Sequence, residues 1–138
     1  FEEGLYIASD RYGMPWMSGG GCLITRDFLR MGLLFARKGK GVGNRKVGSS
    51  YFFNKTIKEI GPKYMALSKK KYLYYSNSTM VSENMIGHSG YGGQFLATNF
   101  KTGKVAAFFS VLETKSATKE SYKIDMINML INLVNDRS

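Results

Sequence analysis

Four glycines fall within the seven residues Gly87-His88-Ser89-Gly90-Tyr91-Gly92-Gly93, inside the most strand-like part of the chain. Glycine in a strand costs conformational entropy and gives up a side chain that could pack. A run of it makes sense where a backbone or a ligand must approach closely. The segment therefore points to a sheet that presents bare main chain at one place, with His88 and Ser89 beside it.

The surrounding pattern agrees. Residues 84–89, 92–100 and 104–113 read as consecutive strands, the last two joined at Lys101-Thr102-Gly103, a hairpin turn with glycine where positive φ is expected. Val105-Ala106-Ala107-Phe108-Phe109 is apolar without interruption, as in a strand covered on both faces, so helices are expected on both sides. In 118–135, Ile124, Ile127, Ile131 and Val134 form one stripe, widened by Met126, Met129, Leu130 and Leu133; this predicts a terminal helix packed back on the sheet. The methionines of such stripes read as core filler.

Earlier in the chain, Phe28, Met31, Leu34 and Phe35 recur at helical spacing. Thr25 as N-cap, Asp27 in the first turn, Arg37 and Lys38 in the last, and Gly39 as the stop predict a helix over 26–38. Residues 1–21, with Pro15 and several glycines, read as loop with at most short strand. Residues 40–50 read as an exposed loop, and 51–60 as a weaker helical or irregular stretch ended by Gly61-Pro62. Residues 63–75 are ambiguous, although Tyr72-Leu73-Tyr74-Tyr75 favours a strand, and Asn77-Ser78-Thr79 marks a turn. The expected fold class is α/β in the α+β sense: an antiparallel sheet covered by helices, with 1–83 a loop and helix region and 84–138 the terminal strands and helix.

At 138 residues the chain suits one domain. No apolar run approaches the roughly 18 residues of a membrane-spanning helix. Phe1-Glu2-Glu3 shows neither the charged nor the apolar region of a leader and reads as the interior of a longer protein, so any export signal is expected upstream and localisation stays open. A single cysteine, Cys22, excludes an internal disulfide framework and a thiolate zinc site. A single histidine, His88, excludes a multi-histidine metal site, and no cofactor is expected. The net charge of +10, with clusters at Arg37-Lys38-Gly39-Lys40, Arg45-Lys46 and Lys69-Lys70-Lys71, fits either a footprint for nucleic acid or another anionic surface, or a solvated lysine-rich surface. The absence of a recognised nucleic-acid module favours the second.

Two stretches, in the same order, resemble one family. Gly19-Gly20-Gly21 followed by Thr25-Arg26-Asp27 and Arg30-Met31-Gly32 looks like the glycine-pair, Thr-Arg-Asp, Arg-x-Gly pattern that opens a helix in class C-type relatives of the serine β-lactamase and penicillin-binding superfamily. His88-Ser89-Gly90, followed by a hairpin and a terminal helix, resembles that superfamily's third active-site motif in its His-Ser/Thr-Gly form, as in esterases and 6-aminohexanoate-dimer hydrolases. Ser9-Asp10-Arg11-Tyr12-Gly13 is similar to the segment before the glycine pair.

The resemblance implies acyl transfer to a serine on a Ser-x-x-Lys helix, with a Tyr-x-Asn motif handling protons. It implies that Tyr91 N–H is an oxyanion-hole donor and that His88, Ser89 and Gly90 meet the substrate. Histidine in place of the more usual lysine weakens the fixed positive charge and tilts the expected substrate from β-lactam-like carboxylates toward small esters or amides. The nucleophile is expected upstream in the same protein, so this stretch alone is expected to be inactive. Ser68-Lys69-Lys70-Lys71, Ser116-Ala117-Thr118-Lys119, Tyr75-Ser76-Asn77 and Lys101-Thr102-Gly103 match the family's short motifs but stand in the wrong order, and read as surface or turn residues. Two other readings are a catalytically dead relative that keeps the cleft for recognition, and a basic module that binds nucleic acid or an anionic surface.

Overall fold

A computed structural model describes residues 2–16, 20–110 and 120–136. Six strands form one antiparallel meander in chain order: β3 (Lys63–Ala66), β4 (Tyr72–Ser76), β5 (Thr79–Ser82), β6 (Met85–Ser89), β7 (Gln94–Asn99) and β8 (Val105–Phe109). Before them come a two-stranded pair, β1 (Tyr6–Ile7) and β2 (Gly21–Cys22), and the helices α1 (Thr25–Ala36) and α2 (Ser50–Lys58); α3 (Glu120–Asn135) follows them. The α+β class, an antiparallel sheet covered by helices, is what the sequence led us to expect.

Pleat alternation sorts the sheet into two faces. Leu73, Met80, Met85, Phe95 and Ala97 point to one face, where Ile127, Leu130, Ile131 and Val134 of α3 complete the main core. Leu96, Thr98 and Val105 point to the other face, against Gly32 of α1. Val81 and Ile86 of that second face meet Phe53 of α2, with Phe35 and Ile57 around them. The apolar run of β8 has a helix on each side, since Ala106 and Phe108 pack toward α3 and the ring of Phe109 lies 5.2 Å from that of Phe28 on α1, but as the edge strand it is only half-buried and Phe109 stays exposed.

Short hairpin turns make the meander. Asn77 and Ser78, at φ 47° and 61°, join β4 to β5 in the two-residue form that needs two left-handed residues. At Lys101-Thr102-Gly103 the Asn99 side chain accepts the amides of Lys101 and Thr102 at 2.9 and 3.1 Å, and Gly103 takes φ 78°.

Several expectations need correction. The region up to residue 83 is not only loop and helix, because β3, β4 and β5 lie in it. In β3 and β4 the alternation is masked in the sequence by tyrosines, and β5 holds only four residues. Thr25 does not cap α1; it is the first helical residue, after Ile24, whose side chain cannot accept a bond. The helix ends at Ala36 rather than 38, and the chain turns out through left-handed Lys38 and Gly39, with Gly39 N–H closing on Leu34 O at 2.7 Å. On α3, Met129 and Leu133 are exposed, so the buried stripe is narrower than predicted. The expected continuation of β8 over 111–113 and the start of α3 at 118–119 lie outside the described residues.

Asp27 lies in the first turn of α1, as expected, and also does further work. Its side chain is fully shielded and accepts the amide of Glu2 at 3.0 and 3.1 Å and that of Glu3 at 3.1 Å. Arg30 donates to it at 2.6 Å and also reaches Glu2, which Arg26 binds at 2.8 Å. Desolvation, the largest influence on Asp27, pushes its pKa up, but the two amides and Arg30 together outweigh it and hold the carboxyl below its ordinary range. Glu2 is lowered by Arg26 and Arg30. Both groups therefore contribute stability above the ordinary carboxylate pKa that is lost as pH falls through their depressed values. Asp27→Asn is expected to free the 2–16 segment, seen as faster amide exchange at Glu2 and Glu3 at neutral pH; unchanged exchange would contradict the clamp.

Gly32 marks the closest approach of α1 to the sheet. A β-carbon there would stand 3.0 Å from both Leu96 Cδ1 and Thr98 Oγ1, and would overlap Val105 Cγ1 outright. Alanine gains about 1 kcal/mol over glycine in a helix, while overpacking a core costs about 1–3 kcal/mol. Gly32→Ala is therefore expected to lower stability by about 1 kcal/mol net. In a Val105→Ala background the same change should stabilise, as read from denaturant midpoints.

Candidate active site

β6 carries Met85-Ile86-Gly87-His88-Ser89 and pairs along its whole length with β7, so His88 stands opposite Leu96 and Ser89 opposite Phe95. Leu96 is a residue that meets α1, which puts His88 on the α1/α2 side of the sheet. There α1 covers β7 and β8 while Phe53 of α2 reaches Ile86, and His88 itself is left exposed. Gly87 is fixed by geometry: a β-carbon on it would drive into the carbonyl oxygen of Leu96. The glycine thus allows β6 to lie tight against β7 one residue before the histidine.

After Ser89 the chain turns through Gly90-Tyr91-Gly92-Gly93 into β7. Gly90 N–H donates to Gln94 O at 2.6 Å and Gly93 N–H to Gly90 O at 3.3 Å. Gln94 folds its side chain back into the turn, where Oε1 accepts the Gly92 amide at 3.1 Å. A β-carbon at Gly92 would sit 2.7 Å from Gln94 Nε2, and one at Gly90 would strike Oε1, so both glycines make room for that side chain. The turn is also tied from behind. Ser110 N–H and Oγ both donate to Gly93 O, at 3.2 and 2.9 Å, and Tyr122 of α3 donates its hydroxyl to Ser110 Oγ at 3.1 Å.

One amide of the turn is left over. Tyr91 N–H has no hydrogen-bond partner among the described residues, while its side chain is 74% exposed. The result is a held turn with a single free donor, next to an exposed imidazole on the preceding strand. Sequence reading singled out His88, Ser89, Gly90 and Tyr91; it missed Gln94, Ser110 and Tyr122. The spacing Gly-x-Gly-Gly-Gln was the available signal for Gln94, whereas Ser110 and Tyr122 enter only through the fold.

His88 reaches solvent, yet enough protein surrounds the imidazole that loss of water pushes its pKa down, and repulsion from Lys123 on α3 adds to this. The crevice beside it, lined by Met80, Met85, Phe95, Ala97, Ile127 and Leu130, is apolar and holds only about 10 Å³. That is room for about one water. It is a small packing gap between the sheet and α3, not a substrate cleft. No group of three His, Cys, Asp or Glu side chains comes together among the described residues, so they offer no set of metal ligands.

Of the short motif matches, Ser68-Lys69-Lys70-Lys71 and Lys101-Thr102-Gly103 are surface and turn residues as expected, but Tyr75 and Ser76 lie in β4 and Ser76 is buried. Ser68 lies on a non-helical turn with Oγ accepting the amides of Lys70 and Lys71 at 3.4 and 3.2 Å. Tyr75 belongs to β4, its ring 5.7 Å from that of Tyr64, and Lys101-Thr102-Gly103 is the β7–β8 turn. Ser116-Ala117-Thr118-Lys119 lies outside the described residues. No protein-family model matches the chain, and no curated protein matches it significantly. Among the described residues no helix is long and apolar enough to cross a membrane.

The pKa of His88 can be tested directly. Its imidazole is expected to titrate below the ordinary value of 6.5 in NMR, and Lys123→Gln should raise the midpoint only part of the way, because desolvation is the larger cause. A depressed histidine contributes stability above its unfolded pKa that is lost as pH falls through its folded one. A midpoint at or above the ordinary value would contradict this environment.

Proposed function

We propose that this chain forms one wall of the active site of a serine hydrolase that cleaves an ester or amide bond through an acyl-enzyme, with Tyr91 N–H as an oxyanion donor. The observation that carries the reading is that amide. It is unpaired among the described residues, it follows His88-Ser89-Gly90, and the bonds of Gln94 and Ser110 hold its turn. When a hydroxyl attacks a carbonyl, negative charge collects on the carbonyl oxygen. A donor already fixed toward that oxygen stabilises the charge without reorganising.

His88 supports the same reading. Its lowered pKa keeps the imidazole neutral near pH 7, so it offers a hydrogen bond to the substrate rather than a fixed positive charge. A neutral partner suits an ester or amide better than a carboxylate-bearing β-lactam. Ser89 and Gly90 would line the approach. The attacking hydroxyl is not expected from Ser68, whose oxygen is already engaged in its own turn. In this proposal the nucleophile comes from polypeptide outside the 138 residues, upstream in the same protein.

The test has two arms. The 138-residue chain alone should remain unlabelled by a fluorophosphonate probe. In the protein that carries the nucleophile, Tyr91→Pro, which removes the N–H, should lower kcat for a p-nitrophenyl ester about 10²- to 10³-fold with little change in KM. Labelling of the isolated chain, or full turnover by Tyr91→Pro, would refute the proposal.

A further inference from the structure

Residues 37–58 contain Arg37, Lys38, Lys40, Arg45, Lys46, Lys55 and Lys58 and no carboxylate. Lys55 pairs with Glu59 at 3.6 Å, but Arg37, Lys38, Lys40, Arg45 and Lys46 make no ion pair among the described residues. These five surround a folded loop. Lys40 and Lys46 form an antiparallel bridge, Gly41 N–H donates to Arg45 O at 2.8 Å, and Gly39 O accepts Val47 and Gly48 amides at 3.0 and 2.8 Å. Beyond the bridge, a single 3₁₀ turn over Val42–Asn44 makes the tip.

The tip is apolar. Val42 is 90% exposed, Val47 56%, and Tyr51 and Phe52 at the start of α2 are 73% and 51% exposed. Val42 and the two exposed rings, in one basic segment with five cations that make no ion pair among the described residues, present apolar and cationic surface together. Nucleic acid would use the cations and could stack on the rings, but it offers Val42 nothing. An anionic lipid surface uses all three features. Headgroups attract the cations, aromatic side chains settle at headgroup level, and an aliphatic tip enters the acyl boundary.

We propose that the Gly39–Gly48 loop and the first turn of α2 dock this protein on an anionic phospholipid surface, with Val42 inserted and Lys38, Lys40, Arg45 and Lys46 on the headgroups. The surface is separate from the His88 turn, so the proposal does not depend on hydrolase activity.

Vesicle flotation tests it. The protein should bind phosphatidylserine–phosphatidylcholine vesicles, release them as salt is raised, and ignore pure phosphatidylcholine. Replacing Arg45 and Lys46 by Gln should weaken binding about fivefold for each cation lost. Val42→Ser should weaken vesicle binding about tenfold while leaving the affinity for a DNA oligonucleotide unchanged. These positions are exposed, and an unchanged circular-dichroism melt would confirm that each variant is folded. Equal binding to the two kinds of vesicle, or no effect of Val42→Ser on vesicle binding, would overturn the proposal. Binding to DNA that exceeds vesicle binding and falls with Arg45 and Lys46 would assign the surface to nucleic acid instead.

Discussion

Burial of β7 on both faces at once is the constraint on which the architecture rests. Phe95, Leu96 and Thr98 are sealed almost completely, and they point alternately to the two helix layers. Phe95 and Ala97 belong to the core under α3, while Leu96 and Thr98 meet α1 at Gly32. Thr98 is polar in this setting, and its hydroxyl donates to Gly32 O at 3.2 Å across 66 positions of sequence. A buried hydroxyl without a partner would cost about 1–3 kcal/mol, so the bond fixes where α1 crosses as well as that it crosses. Asn99 ends the same strand by linking three elements: its side chain bonds Asn135 at 2.7 Å, reaches Val134 O, and accepts the amides of the β7–β8 turn. Register, helix placement and turn geometry therefore meet in six consecutive residues.

The glycine turn inherits its precision from this strand. Gln94 is the first residue of β7, and its backbone position is fixed by pairing with Phe109. Its side chain folds back into the turn it follows. Ser110, just past the end of β8, clasps Gly93, and α3 reaches Ser110 through Tyr122. The free amide of Tyr91 is thus held from two directions by groups that themselves belong to the core layers. A loop of four residues containing three glycines would otherwise sample many conformations. Here Gly90 and Gly92 make room for the Gln94 side chain, and its bond to the Gly92 amide ties the turn down.

Some of this was legible in the chain and some was not, for physical reasons. The unbroken apolar run Val105–Phe109 announced a strand with a helix on each side, because a strand with one face in water would alternate. The hairpin at Lys101-Thr102-Gly103 was legible from its glycine. By contrast, Thr79–Ser82 escaped notice as a strand because it holds only four residues between two-residue turns, too few for a period to register. Asp27 was visible as a charge near a helix start, but its partners Glu2 and Glu3 lie 25 and 24 positions away and are main-chain amides, which carry no sequence signal. The site divides the same way. His88, Ser89, Gly90 and Tyr91 stand together in sequence and could be chosen from it, whereas the clasp by Ser110 and Tyr122 depends on how β8 and α3 pack. The crevice beside His88 could not be foreseen either, since side chains of β5, β6, β7 and α3, far apart in sequence, meet around it.

The first segment of the chain shows how unevenly stability is distributed. Every described residue from Glu2 to Trp16 is exposed, including Leu5, Tyr6, Tyr12, Met14 and Trp16. Apolar burial, worth about 25 cal/mol per Å², therefore does little to hold β1 in place. What holds it is polar: the pairing of Tyr6 and Ile7 with Cys22 and Gly21, and the amides of Glu2 and Glu3 on the shielded carboxylate of Asp27. Such bonds are directional and break singly, whereas the β7 core releases its helices only together. The segment should accordingly open independently of the sheet, as regions with few buried contacts do. The aromatic and aliphatic side chains it carries would then be free to change partners without disturbing the strand that positions His88.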